Sequence, residues 1–197
     1  MRLIVLFIFF ILPAVFAKAH EGLHSKLIQN WMQEAQSTTM APRGLLHLVR
    51  FKEPVYVLTR PIKWEPNEEQ QNYEEVTVPK GFVTDFASIP SLFWTHLRPD
   101  GSYAYAAVIH DYLYWEQKRS RKEADEIFLL AMKDFGISWP TDQLIYNAVR
   151  LDVGGGRAWR DVSRAKENGE KRILRRFPQD PRTSWFDWKK MPGVFNE

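Results

Sequence analysis

The sequence has no cysteine. Disulfides, thiolate zinc sites and a cysteine nucleophile are therefore excluded. Ser88 does not sit in a G-x-S-x-G elbow, which leaves a serine hydrolase of that type unsupported. Gly154-Gly155-Gly156-Arg157 lacks the Lys and Ser/Thr of a P-loop. His20, His24, His47 and His96 are read as scattered histidines, and no zincin is inferred from them. No internal repeat recurs. Charge of one sign hardly dominates: 27 Lys and Arg against 24 Asp and Glu give +3. That surplus does not point to nucleic acid as a partner. What is present is a globular composition, 45% hydrophobic and 26% charged over 197 residues. The length fits one domain, with enough chain for a core that needs no staples.

The N-terminus narrows the compartment. Met1-Arg2 is a short positive start, and Leu3 to Ala17 is an apolar run with Pro13 near its end. The run is short for a bilayer span, which needs roughly 20 residues. Ala17-Lys18-Ala19 offers an A-x-A cleavage site, and a cut after Ala17 is the other option. The expectation is a signal peptide at 1–19 and an exported protein, periplasmic or secreted. An uncleaved anchor is the competing reading. Without cysteine there is no lipobox, so a lipoprotein is excluded.

Residues 22–35 read as an amphipathic helix on Leu23, Leu27, Ile28 and Trp31, followed by a linker at 36–43. Residues 44–60 read as strands, Pro61 to Asn72 as a hairpin loop, and Val76 to Val78 as a strand stopped by Pro79. From Gly101 the period becomes helical, with Ala106, Ala107, His110, Leu113 and Tyr114 on one stripe. Ser120 and Glu123 make a capping box that opens a second helix, closed by Gly136. Thr141 is expected to cap a third helix to about Leu151, with Leu144, Ile145 and Val149 inward. The tail from about 177 reads as irregular. The fold class is α+β: N-terminal strands, then a helical half centred on an antiparallel helix hairpin.

Two polar residues stand where apolar ones are expected. His110 shares the stripe of Ala106 and Tyr114, and Asp125 shares that of Phe128 and Met132. An unpaired carboxylate on a core face is expensive. The short turn between the helices lets the two meet across the seam. A carboxylate on one imidazole nitrogen leaves the other free as a base. The competing reading is a structural His–Asp pair. Asp111 points about 100° away from His110 around the helix, so it suits a metal or a cap instead.

The pattern His110-Asp111-x-x-Tyr114 with Asp125-x-x-Phe128 resembles the active-site helices of secreted phospholipase A2. The resemblance implies that His110 is a general base activating water, that Asp125 orients it and that Tyr114 supports Asp125. It implies that Asp111 binds Ca²⁺. The Gly-rich calcium loop of that family is replaced here by Gly81 to Pro90, where Asp85 would stand in as a ligand.

A wider pattern joins GFVTDFASIP, AAVIHDYLY and R-x-x-AD-x-x-F-x-x-AM. Over roughly residues 50–155 it resembles the uncharacterised bacterial and phage family called domain of unknown function 1353. That family implies no activity. It does imply that Thr84, Asp85 and Ser88 line the same site as His110. The alternative is a turn in which Asp85 and Ser88 cap backbone. The domain plan is then a leader at 1–19, a helix and linker at 20–43, a core at 44–160 and a basic, Trp-rich extension at 161–197.

Three function readings result. The first is an exported, calcium-dependent, phospholipase A2-like ester hydrolase, with phospholipid or a membrane surface as partner. The second is a non-catalytic envelope or phage-derived module. The third is a cell-wall hydrolase using the same residues. The basic runs 118–122 and 164–176 suit an anionic surface or a solvated face. The sequence does not set the oligomeric state.

Overall fold

Short β-branched and aromatic runs make the first elements. The computed structural model describes residues 45–86, 103–137, 139–151 and 156–196. The expected leader, the helix at 22–35 and the linker at 36–43 lie outside them. Strands β1 (Leu48–Arg50) and β2 (Tyr56–Leu58) pair antiparallel, with Val49 opposite Val57. Strands β3 (Ile62–Trp64) and β4 (Val76–Val78) form a second antiparallel pair. In that pair Ile62, Trp64, Val76 and Val78 are buried while Thr77 faces water. The stretch expected as loop from Pro61 therefore starts with a strand. Its Ile-x-Trp alternation matches the pleat, and the polar residues begin only after Trp64. The β3–β4 connection includes a 3₁₀ turn at Glu68–Gln70, capped by Asn67. Strand β5 (Val83–Thr84) joins β2, with Thr84 opposite Tyr56.

Gly81, just before β5, sits at φ +91°. A Cβ there would lie 2.2 Å from the Leu174 carbonyl oxygen, so only glycine fits. Its N–H donates to Leu58 O at 2.8 Å and its carbonyl accepts from Leu174 N–H at 2.8 Å. The expected extension is thereby tied to the strands. Leu174, Trp185 and Val194 share a buried cluster with Phe51, Val57 and Val83.

The helical half begins with α1 (Ala104–Glu116) and α2 (Arg121–Asp134). Gln117 takes a left-handed conformation at φ 57° and ends α1. Ser120 Oγ accepts the Glu123 N–H at 3.2 Å and starts α2. At the far end Gly136 N–H donates to Lys133 O and Ile137 N–H to Met132 O, a Schellman stop. Helix α3 (Thr141–Arg150) differs from expectation at its start. Pro140 is the cap residue and Thr141 the first helical one, with no side-chain cap bond. Asp142 places an acid in the first turn, which suits the helix dipole, and its Oδ1 accepts the Gln143 N–H at 2.7 Å. Ile145 and Val149 are buried as expected, whereas Leu144 is 54% exposed. It lies about 100° from Ile145, outside the stripe that packs on α2.

Helix α4 (Arg157–Glu167) was not expected, although Ala158, Trp159, Val162 and Ala165 recur at helical spacing. It has no fully buried residue, and Trp159 is its main inward group. Helix α5 (Trp185–Trp188) is a single turn held by Glu53, whose oxygens accept the Trp185 N–H and Ser184 Oγ at 2.8 Å each. That Trp185 bond is the main cause holding the Glu53 carboxyl below its ordinary range. Among the described residues no helix is long and apolar enough to cross a membrane.

Candidate functional site

The hairpin of α1 and α2 buries both expected polar residues completely. His110 and Asp125 are each 0% exposed. His110 Nε2 lies 3.0 Å from Asp125 Oδ1. Four further contacts fix the pair. The Tyr114 hydroxyl donates to the same Oδ1 at 2.7 Å. Arg121, one turn before Asp125, points Nη1 at Oδ2 from 3.5 Å. The His110 ring stacks on Phe128 at 4.5 Å and 22°, and meets Tyr114 at 4.2 Å. His110 and Tyr114 are i, i+4 along α1, Arg121 and Asp125 are i, i+4 along α2, and the packing of the two helices brings the pairs together.

An ionised Asp125 can only accept, so Nε2 carries the proton and donates to it. Nδ1 then presents its lone pair. That atom has no hydrogen-bond partner among the described residues, although it is buried. The Tyr114 hydroxyl is pushed well above the usual tyrosine range, first by burial and then by the Asp125 charge. It therefore stays a donor at any working pH.

Asp111 faces a different seam. Thr84 Oγ1 donates to Asp111 Oδ2 at 2.5 Å, and the same oxygen accepts the Phe86 N–H at 3.2 Å. Phe86 has φ 56°, a left-handed conformation rare for an aromatic residue, and it ends the extended run after β5. Thr84 thus bridges α1 to the strand end. Asp85 is exposed and borders a small cleft with Thr84, Glu170 and Arg172. Ser88 lies outside the described residues.

Of the expected site residues, His110, Asp125 and Tyr114 form one cluster and Asp111 with Thr84 another. Calcium takes about 6–8 oxygen ligands. Among the described residues no group of three His, Asp or Glu gathers to hold a metal. Asp111 and Asp85 are the residues that would face such an ion.

One residue was missed. Arg121 supplies charge to Asp125, and its i, i+4 spacing was the available signal. It also reaches the Arg150 carbonyl at 3.3 Å, which ties α3 to the cluster. The reading of scattered histidines is also incorrect at one point. His20-Glu21-Gly22-Leu23-His24 does have the H-E-x-x-H spacing. It lies outside the described residues.

Comparison with known proteins adds a family. Residues 57–149 match the family described as "Protein of unknown function (DUF1353)", and this segment belongs to it. The match spans β2 to α3, so it contains both clusters on α1. No curated protein and no solved structure matches the chain.

Proposed function

We propose that this protein, whose residues 57–149 belong to a family of unknown function, is a hydrolase with His110 as general base. Nδ1 of His110 carries the reading. Every other polar atom of that cluster has a partner, and this one has none among the described residues. Leaving a buried group bare costs about 1–3 kcal/mol, which a purely structural histidine would avoid by pairing. A water at Nδ1 would satisfy it and become the nucleophile. Nδ1 takes a proton from that water, and the oxygen adds to an ester carbonyl. Asp125 keeps the Nε2 proton in place and stabilises the imidazolium. Nδ1 then returns its proton to the leaving alkoxide, so acid and alcohol are released. Phospholipid is the substrate class implied by the likeness to phospholipase A2 helices. The expected leader would place this chemistry outside the cytoplasm.

A second reading is favoured by burial. With side chains 1% and 0% exposed, the pair can be a non-catalytic fastener of the hairpin. Substrate entry would require the packing around the ring to part. One experiment separates the two. Fatty-acid release from anionic liposomes is followed with calcium or chelator, for wild type and His110→Asn. The hydrolase reading expects release in wild type and a roughly 10²–10⁴-fold loss in the variant, the range of a general base. No release from either protein, with the variant markedly less stable to urea, would leave the fastener.

A further inference from the structure

Positive charge gathers after α4. Residues 171–190 hold seven Lys and Arg against two Asp, more than the surplus of three over the whole chain. Lys171, Lys189 and Lys190 line an open cleft of about 590 Å³ together with Arg164. Its two acids are already paired: Asp161 with Arg164 and Glu170 with Arg172, each at 3.3 Å. The three lysines have no ion pair among the described residues. The C-terminal end of α4 contributes roughly half a negative charge, which three ammonium groups outweigh.

Apolar side chains stand in water beside this charge. Lys189 Nζ lies 5.9 Å from the centre of the Phe186 ring. Phe186 is 56% exposed, and Met191, following Lys190, is 44% exposed. Lysines attract the phosphates of an anionic leaflet, and an aromatic ring with a thioether enters the headgroup–acyl boundary. A free anion would use the cations but would leave Phe186 and Met191 without a role. We propose that the Lys171–Lys189–Lys190 cleft, with Phe186 and Met191 at its rim, docks the protein on an anionic lipid surface. The proposal rests on no part of the hydrolase reading, because it uses none of the His110 cluster and is read without turnover.

The test is partition of the full chain onto vesicles of equimolar phosphatidylglycerol and phosphatidylcholine, against phosphatidylcholine alone. Each basic residue near an anionic surface is worth about 1 kcal/mol, so Lys171→Glu/Lys189→Glu/Lys190→Glu should weaken anionic binding at least ~10-fold. Phe186→Ser keeps the charge and should weaken it about 3-fold, the worth of a partly buried ring. Reversing Lys122 and Lys133, exposed on α2, should change binding less than about 2-fold, because only lysines at the docked face lie within a Debye length of the lipid. Three results would overturn the proposal. One is equal binding of wild type and the triple variant. Another is an equal loss from the α2 reversals, which would reduce the effect to net charge. The third is tighter binding to single-stranded DNA than to vesicles, lost in the triple variant, which would assign the cleft to nucleic acid. Melting curves of all variants that overlay wild type keep these comparisons valid.

Discussion

Successive residues of α1 face two different seams. His110 turns toward α2 and Asp111 toward β5, about 100° apart around the helix. Both seams bury an acid, and both satisfy it with hydroxyl donors. At the helix–helix seam Asp125 takes His110, Tyr114 and Arg121. At the helix–strand seam Asp111 takes Thr84, whose hydroxyl is itself held by the Phe86 N–H. They differ in what is left over. The first leaves a ring nitrogen buried without a partner among the described residues, and the second leaves no such atom. Adjacent residues can therefore serve separate purposes. The Asp111 seam fastens the helix to the sheet, while the His110 seam keeps a bare ring nitrogen, on which the proposed general-base role rests.

The largest effect should come from Asp125→Ala. It strips acceptors from three donors at once and leaves an arginine near an emptied site. Removing one partner of a buried charged network costs about 3–5 kcal/mol. Urea unfolding should show that loss. A cost below about 1 kcal/mol would mean that water replaces the carboxylate, and the seam would then be open rather than sealed.

Much of this arrangement was legible in sequence, and its failures have physical causes. The hairpin could be read because His110 and Asp125 broke otherwise apolar stripes, and a short turn left them no other place to go. The link from Thr84 to Asp111 was not legible. Thr84 was expected beside His110, but which face of α1 meets the strand end depends on sheet position, which local periodicity does not encode. β3 was hidden by its three-residue length and the prolines around it. α4 was hidden by its charge, since its short stripe of Trp159, Val162 and Ala165 lies in a run dense in Arg, Asp and Lys. The role of Gly81 depends on Leu174, more than ninety residues away, so no local pattern announces it.

The second effect is smaller and tests whether the seams are separate. Thr84→Val keeps shape and removes the hydroxyl, leaving Asp111 and the Phe86 N–H each short of a partner. The expected cost is about 1–2 kcal/mol. Combined with His110→Asn, the two losses should add within about 0.5 kcal/mol, as for sites with no shared partner. A coupling above about 1 kcal/mol would merge the two seams into one network. It would also revive the expectation that Thr84 lines the site of His110.

The smallest effect concerns a tyrosine that belongs to neither seam and serves as the reference for both. Tyr105, one turn before His110 and Asp111 on α1, is buried, and its hydroxyl is pushed up to about 12, chiefly by that burial. In the unfolded chain it ionises near 10. Between those values the folded state holds the proton and the unfolded state releases it. Stability from this group is therefore full below pH 10 and lost as pH rises toward 12. One pKa unit corresponds to about 1.4 kcal/mol, so roughly 1 kcal/mol should disappear between pH 9 and pH 11. Tyr114 is raised further and contributes in the same direction. Urea midpoints at these two pH values, for wild type, Tyr105→Phe and Tyr114→Phe, separate the contributions. If Tyr114→Phe flattens the pH dependence and Tyr105→Phe does not, the His110 seam is the more tightly sealed part of α1. If Tyr105→Phe alone flattens it, water reaches the Asp125 network, as a base that works on water requires.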